Sequence, residues 1–264
     1  MENELKVRGL VLRDVHTGEA DKILTVLCEG IGRIDVSGKG VRSLRSPHMV
    51  STQIFTYSSF VFRRGKRYYY ISESELIDAF FGLRSDIDRL SLASYLADIT
   101  LDLMPEGTVD DDLLRLTLNT FYALSAKKNI PLKQIKGAFE MKAADLAGFC
   151  PDLGCCRRCG AVSHREMYLD VMNGGLVCGD CKTPVILENA RTDNSTSMIH
   201  LKLTSTVLAA LRYITSSDEK RFLSFTLPEN ELKLFCDVCE RYLLDHLEHG
   251  FHSLEFYKSM ILEN

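Results

Sequence analysis

No apolar run in this 264-residue chain approaches the ~20 residues a helix needs to cross a bilayer. The start, Met1-Glu-Asn-Glu-Leu5, lacks the basic residues and apolar core of a secretory leader, so no signal peptide is expected. Catalytic signatures are missing too. There is no Walker A loop, no GxSxG elbow, no HExxH helix and no GxGxxG at a strand–helix turn. No catalytic set is visible, so the expectation is a protein that is not an enzyme, has no small-molecule substrate and does not engage a membrane. Internal repeats and low-complexity tracts are absent. Net positive charge is absent as well: the chain carries −4, which taken globally argues against nucleic acid.

Cysteine is not scarce. Nine are present, and without a leader they fit a reducing cytosol and thiolate metal binding. Four stand as Cys156-Arg157-Arg158-Cys159-Gly160 and Cys178-Gly179-Asp180-Cys181, with eighteen residues between Cys159 and Cys178. Two CxxC pairs at this separation are a four-thiolate zinc signature. Each turn points two sulfurs at one ion, and all four tetrahedral positions are then filled by protein. The zinc is therefore read as structural. Two disulfides in a secreted protein are the competing reading, which the missing leader disfavours. Cys155 beside Cys156 is an ambiguity, although pairing it with Cys159 has one residue too many for a knuckle. His164 lies close enough to substitute as a ligand. Between the pairs, Met167–Val171 and Gly174–Val177 read as a hairpin turning at Asn173-Gly174.

Charge is unevenly distributed. From Arg33 to Arg67 there are eight Lys/Arg (Arg33, Lys39, Arg42, Arg45, Arg63, Arg64, Lys66, Arg67) against one acid, Asp35, a local charge of +7. A concentrated field of this kind suits a polyanion.

Residues 1–80 read as β. Strands are expected at Leu5–Arg13, Lys22–Cys28, Arg33–Ser37, Val50–Phe62 and Tyr68–Ser72, with Asp14–Asp21 as a loop and Gly38–His48 as a glycine-opened basic loop. Five short strands without a helical period fit a small barrel such as an OB-fold. From Glu73 the apolar spacing turns helical. Helices are expected through Leu103, over Leu113–Ala126 behind an Asp110–Asp112 cap, and over Leu132–Gly148. More follow at Ser195–Ser197, Lys202–Ile214, Pro228 to about Gly250, and Ser253–Leu262. The fold class is α+β: a barrel domain over 1–80, then a helical domain over 81–264 carrying a four-cysteine zinc-finger insert at about 150–185.

With these segments in view, the chain resembles the bacterial RecO family of recombination mediators and DNA-repair factors. Matching segments are Thr17-Gly-Glu-Ala-Asp21 before an apolar strand and Gly32, the Gly38–Arg42…Arg45 loop, and Gly82-Leu-Arg84 before a helix with Ala93–Leu96. Pro105-Glu-Gly107, Ala138-Phe-Glu140, Gly148–Leu153 with the CxxCG…CxxC, and His246…Ser253–Phe256 complete the series. Cys150 departs from the small or aromatic residue common at that position and is read as a non-ligand. The resemblance implies an OB-fold followed by a helical domain with a zinc finger. It also implies binding of single- and double-stranded DNA, strand annealing, and work with RecR to load RecA onto DNA covered by single-strand binding protein (SSB). A cytoplasmic, nucleoid-associated location follows from the same likeness.

Lys39, Arg42 and Arg45 on the glycine-bracketed loop, and Arg63, Arg64, Lys66 and Arg67 on a second basic turn, are the candidate DNA contacts. For the arginine turn the competing reading is a solvated hairpin tip. Tyr57, Phe60, Tyr68, Tyr69 and Tyr70 offer stacking faces, but alternate ones must fill the barrel, so none is assigned. An acidic SSB C-terminal tail needs a basic, partly apolar pocket, and Lys133, Lys136 and Phe139 on one helix are the candidates; an ordinary helix face is the alternative. Cys236 and Cys239 read as core cysteines, and His246, His249 and His252 as a solvated helix end. The rival functions are a zinc-ribbon RNA-binding protein and a zinc deaminase; a deaminase zinc usually has three protein ligands, whereas four thiolates complete the site here.

Overall fold

The computed structural model describes residues 4–66, 68–126, 130–182 and 199–262. Arg67, the Lys127–Asn129 link and the expected helical stretch at Ser195–Ser197 lie outside the described residues.

Five strands form the N-terminal part: β1 (Glu4–Thr17), β2 (Asp21–Cys28), β3 (Gly32–Gly38), β4 (Tyr57–Arg64) and β5 (Tyr69–Asp78). They close in the order β1-β2-β3-β5-β4, with β4 returning to β1. β3 and β5 run parallel, and the other pairs are antiparallel. This is the OB-fold barrel. Closure depends on β1, whose first half pairs with β4 and whose second half pairs with β2, across a register shift between Val11 and Arg13. A bulge of this kind bends one long strand around a barrel corner. The interior is filled by Val11, Leu24, Val26, Val36, Phe60 and Phe62, with the two phenylalanine rings stacked 5.0 Å apart. Alternation along β4 sends both rings inward.

Three expected boundaries move. Asp14–Thr17 extends β1 rather than forming a loop, because Lys22 Nζ bonds Asp14 Oδ2 at 2.5 Å across the β1–β2 ladder. Polar residues read as loop here belong to a wet strand face. The strand expected from Val50 begins only at Tyr57. Ser51 O accepts the hydroxyls of Thr56 and Ser58, and His48 O accepts that of Thr52. These side chains hold the backbone in turns, and Phe55 at φ 62° breaks any extended run. Finally, the helical spacing expected from Glu73 yields to β5, which continues to Asp78 with Glu73, Glu75 and Ile77 on the exposed side. Their period of two outweighs the apolar spacing further on.

Helices α1 (Phe81–Arg84), α2 (Ile87–Leu103) and α3 (Asp111–Ser125) follow. Asp86 and Asp110 cap α2 and α3 by accepting from backbone N–H groups of the first turn. The turn between β2 and β3 docks on the loop before α3. Gly30 N donates to Asp111 Oδ1 at 2.8 Å, and a Cβ at Gly32 would fall 1.9 Å from Thr108 O. Only glycine serves there, at φ 83°. The last helix, α7 (His252–Leu262), packs on α2, where Ser253 Oγ donates to Asp98 Oδ2 at 2.7 Å. Residues 1–128 and 252–264 accordingly make one compact unit. The barrel ends at Asp78, but the unit that contains it does not.

Residues 129–251 make the second unit. It holds α4 (Leu132–Ala144), a π-turn over Asp145–Phe149, strands β6 (Asp152–Cys156), β7 (Met167–Asp170), β8 (Gly175–Cys178) and β9 (His200–Leu203), and helices α5 (Ser205–Ser216) and α6 (Glu229–Leu247). The sheet order is β6-β8-β7-β9. The β7–β8 hairpin turns at Asn173-Gly174 as its sequence suggests. β9 is a correction: Lys202 sits in a strand paired to Tyr168, and the helix starts only behind the Thr204 cap.

Candidate nucleic-acid interface and metal centre

The register of the barrel brings the two basic stretches to one end. β5 opens there, with Tyr70 opposite Ser37 of β3 on one side and Arg63 of β4 on the other. Lys39, two residues past Ser37, places Nζ 5.4 Å from the centroid of the Tyr70 ring. On the β4 side, Gly65 N donates to Tyr68 O at 3.0 Å. A Cβ at Gly65 would lie 2.1 Å from Tyr70 Cε2, so the bare glycine lets the turn sit on that ring. Lys39, Arg42, Arg45, Arg63, Arg64 and Lys66 are all exposed.

The β1–β2 turn joins the same end. Gly40 N donates to Asp21 Oδ1 at 2.7 Å, Arg42 N to Ala20 O at 3.0 Å, and the Arg42 guanidinium to Glu19 O at 3.1 Å. The β1–β2 and β4–β5 loops are the pair that OB-folds use for oligonucleotides. One acid intrudes, since Arg63 Nε pairs with Glu4 Oε1 at 3.0 Å. Sequence reasoning named the basic residues but missed Tyr70 as their meeting point. The parallel β3–β5 pairing that creates it is a long-range contact with no local pattern.

The pocket expected from Lys133, Lys136 and Phe139 does not form. Phe139 is fully buried, and Lys136 is 2% exposed. Lys136 Nζ bonds Glu140 Oε1 at 2.6 Å and Glu240 Oε2 at 2.8 Å. Of the three, Lys133 alone is at the surface. The reason lies in α4, where every residue from Gln134 to Ala144 is buried. A helix covered all round leaves its lysine no route to solvent, so the charge is met internally.

The four cysteines of the double CxxC come together. Cys156 ends β6 and Cys178 ends β8, and these strands are neighbours in the sheet. Gly160, at φ 75°, returns its N–H to Cys156 O at 2.9 Å and rounds the first knuckle over Cys159. Cys181 follows Cys178 by three residues in a helical turn over 179–182. All four sulfurs lie within 4.8 Å of one another, and Cys159 and Cys178 are 3.7 Å apart. The edge of a tetrahedron with metal–sulfur bonds of about 2.3 Å is about 3.8 Å. This spacing suits a metal ion and is far too long for a disulfide. Cys155 is outside the cluster. So is His164, whose Nδ1 is 3.0 Å from Glu166 O and whose Nε2 is 3.2 Å from Asp180 Oδ2.

The thiols differ electrostatically. Burial works against ionising Cys156, but hydrogen bonds from the backbone at Cys159, Cys178 and Arg158 outweigh it and bring its pKa to about 6. Cys181 is pushed up to about 12, first by its contact with the Cys178 side chain and then by burial. One thiolate is thus favoured before any cation arrives, and a metal would displace the remaining protons. With four protein donors, the cluster can hold a metal ion but leaves no open position for chemistry on it. Cys239 is fully buried in α6, as a core cysteine should be. The His246 ring lies tilted against Tyr242, with centroids 4.2 Å apart, and takes no part in a metal cluster among the described residues.

Among the described residues, no helix is long and apolar enough to cross a membrane. Two family models match the chain. "Recombination protein O N terminal" covers residues 1–80, and "Recombination protein O C terminal" covers residues 84–255. The first ends two residues past the last barrel strand. Among curated proteins, the chain is 33% identical to DNA repair protein RecO of Acetivibrio thermocellus, over 98% of both chains. It is 31% identical to that of Pelotomaculum thermopropionicum, over 95% of this chain and 92% of the relative. It is 28% identical to that of Alkaliphilus metalliredigens, over 97% and 99%. With both halves matched in order and the likeness running end to end, the chain belongs to the RecO family of DNA repair proteins.

Proposed function

We propose that this protein is a non-enzymatic, DNA-binding recombination mediator that holds DNA on the basic end of its barrel. The observation that carries this reading is the position of Tyr70, whose ring lies near Lys39 Nζ and whose backbone is the ladder partner of Arg63, so that two separate basic stretches come to one end of the barrel. Lys39, Arg42, Arg45, Arg63, Arg64, Lys66 and Arg67 would neutralise phosphates and release counterions. Both single and double strands fit, because the contacts are to the backbone and nothing resembles a base-reading helix. Annealing needs no covalent step. It needs the repulsion between two phosphate backbones screened while the strands meet, which a basic platform supplies.

The family likeness supports work with RecR in loading RecA onto SSB-covered single strands, in the cytoplasm at the nucleoid. The SSB tail then meets a surface other than Lys136 and Phe139, since both are interior. In this reading the four thiolates hold one structural zinc, the ion that a tetrahedral sulfur set favours. Its part is to tie β6 to β8; no step of annealing runs through it.

Fluorescence anisotropy with labelled oligo-dT over a salt series tests the proposal. Three lost single-strand phosphate contacts flatten the log–log salt slope by about 2. A Lys39→Ala/Arg42→Ala/Arg45→Ala variant should show that change and lose annealing. An unchanged slope would move DNA off this face. Tighter binding to RNA of the same length would favour the RNA-binding alternative.

A further inference from the structure

Leu44 is 89% exposed, the most exposed large apolar residue among the described residues. Single exposed leucines are common and need no explanation. The setting of this one is unusual. Ser46 N donates to Ser43 O at 2.9 Å, closing a turn in which Leu44 and Arg45 are the two central residues. A second bond, Ser43 N to Gly40 O at 3.1 Å, stacks that turn on the one before it. The base of the loop is tied to the β1–β2 turn at Asp21, Ala20 and Glu19, and Val41 beneath is 1% exposed. The loop is therefore braced at its base, with Leu44 exposed on the second turn. Exposed arginines, Arg42 and Arg45, stand on either side.

We infer that Leu44 is a base-contacting residue: it packs against the face of an unpaired nucleobase while Arg42 and Arg45 hold the flanking phosphates. The inference rests on the reading of this face as DNA-binding. Phosphates repel an apolar side chain no less than water does, so the nucleobase is the part of the ligand that can cover it. Magnitude chooses the state of that base. Covering one leucine returns roughly tenfold in affinity. Prising open an intact duplex step costs more than that. The base must already be unpaired, and the contact therefore favours single strands over duplex on a surface whose charges treat both alike.

The test uses the full chain with two ligands of equal length: labelled oligo-dT, and an abasic oligomer with the same phosphates and no bases. Leu44→Ala should bind oligo-dT about tenfold more weakly, with its salt slope unchanged and abasic binding unaltered. Leu44→Phe should restore oligo-dT binding. Wild-type affinity of Leu44→Ala for oligo-dT would overturn the inference and leave the basic face standing. An equal loss on the abasic oligomer would overturn it too, because the change would then lie in the loop and not in a base contact. Salt-independent or absent wild-type binding to both oligomers would overturn the basic face itself, and Leu44 with it.

Discussion

Lys136 Nζ lies 2.6 Å from Glu140 Oε1 one turn along α4, with the two side chains 2% and 0% exposed. Glu240 of α6 adds a second carboxylate at 2.8 Å. Burial disfavours the ammonium, but the carboxylates outweigh that penalty and hold the lysine above its ordinary pKa. Breaking such a pair strands a buried charge. Lys136→Met should cost about 3–5 kcal/mol by urea unfolding, and Lys136→Met/Glu140→Leu less, because the fully buried carboxylate is then gone and Glu240, which remains, is partly exposed to water. The sign with pH follows: Lys136's contribution is complete below the unfolded lysine pKa of about 10.4 and fades as pH rises through the folded value. A double variant no better than the single one would contradict this account.

Glu4 offers a gain-of-function test. It pairs with Arg63 at 3.0 Å on an exposed strand end, so the pair adds little to stability. It does withdraw one cation from the basic face. Glu4→Gln should leave the midpoint of thermal unfolding within about 1–2 °C and tighten oligo-dT binding by about two- to threefold at low salt, with the gain vanishing near 0.5 M salt. Weaker binding would mean that Glu4 positions Arg63 and does not compete for it.

Arg84 fixes the junction between the barrel and the helices of the first unit. Its guanidinium donates to Ile54 O at 2.5 Å and to Ala79 O at 2.6 Å. Those are the carbonyls just before Phe55 and Phe80, which stand at φ 62° and φ 44°. Both phenylalanine rings meet Phe121 of α3 edge-on, at 5.2 Å and 6.0 Å. Left-handed backbone at a bulky residue is strained, and one forked cation holds both cases. Arg84→Ala should cost about 2–4 kcal/mol. Arg84→Lys should recover less than half of it, since a lysine is a point charge without the fork. Full recovery by lysine in chemical denaturation would show that charge alone suffices.

Much of this was legible in the sequence, and the failures share a physical cause. Cys156, Cys159, Cys178 and Cys181 were readable because a metal site fixes its ligand spacing locally. The barrel was readable from five strand-like runs without a helical period, with alternation in β3 and β-branched and aromatic composition up to Phe62. Its edges were not, because Asp14–Thr17 and Glu73–Asp78 are held by pairing with distant strands. Lys136 was misread as a surface cation because a lysine in a helix usually is one. A signal was nevertheless present: Ile135, Ala138, Phe139, Met141, Ala143 and Ala144 surround α4 with apolar residues, which marks a buried helix, and Glu140 stands four residues on as the internal partner. Tyr70 stood out only as one of five possible stacking faces, since its place between the two basic stretches arises only when β3 and β5 lie side by side.

The metal cluster gives the sharpest separation between neighbours. Cys156 is fully buried with its sulfur accepting from Cys178 N at 3.4 Å, whereas Cys155 next to it is outside the cluster. If the cluster holds a structural ion, its binding energy is part of the folding energy of this sheet. Cys156→Ser and Cys178→Ser should lose the metal by elemental analysis and expose the β6–β8 region to rapid hydrogen exchange. Cys155→Ser should do neither. A strong chelator on the unmodified protein should reproduce the first pair. DNA binding at the barrel should survive in both serine variants at low temperature, because Lys39, Tyr70 and Arg63 belong to the other compact unit. Stoichiometric metal in Cys156→Ser would remove the cluster as the site. Loss of metal with exchange rates unchanged would keep the site but deny it a structural role.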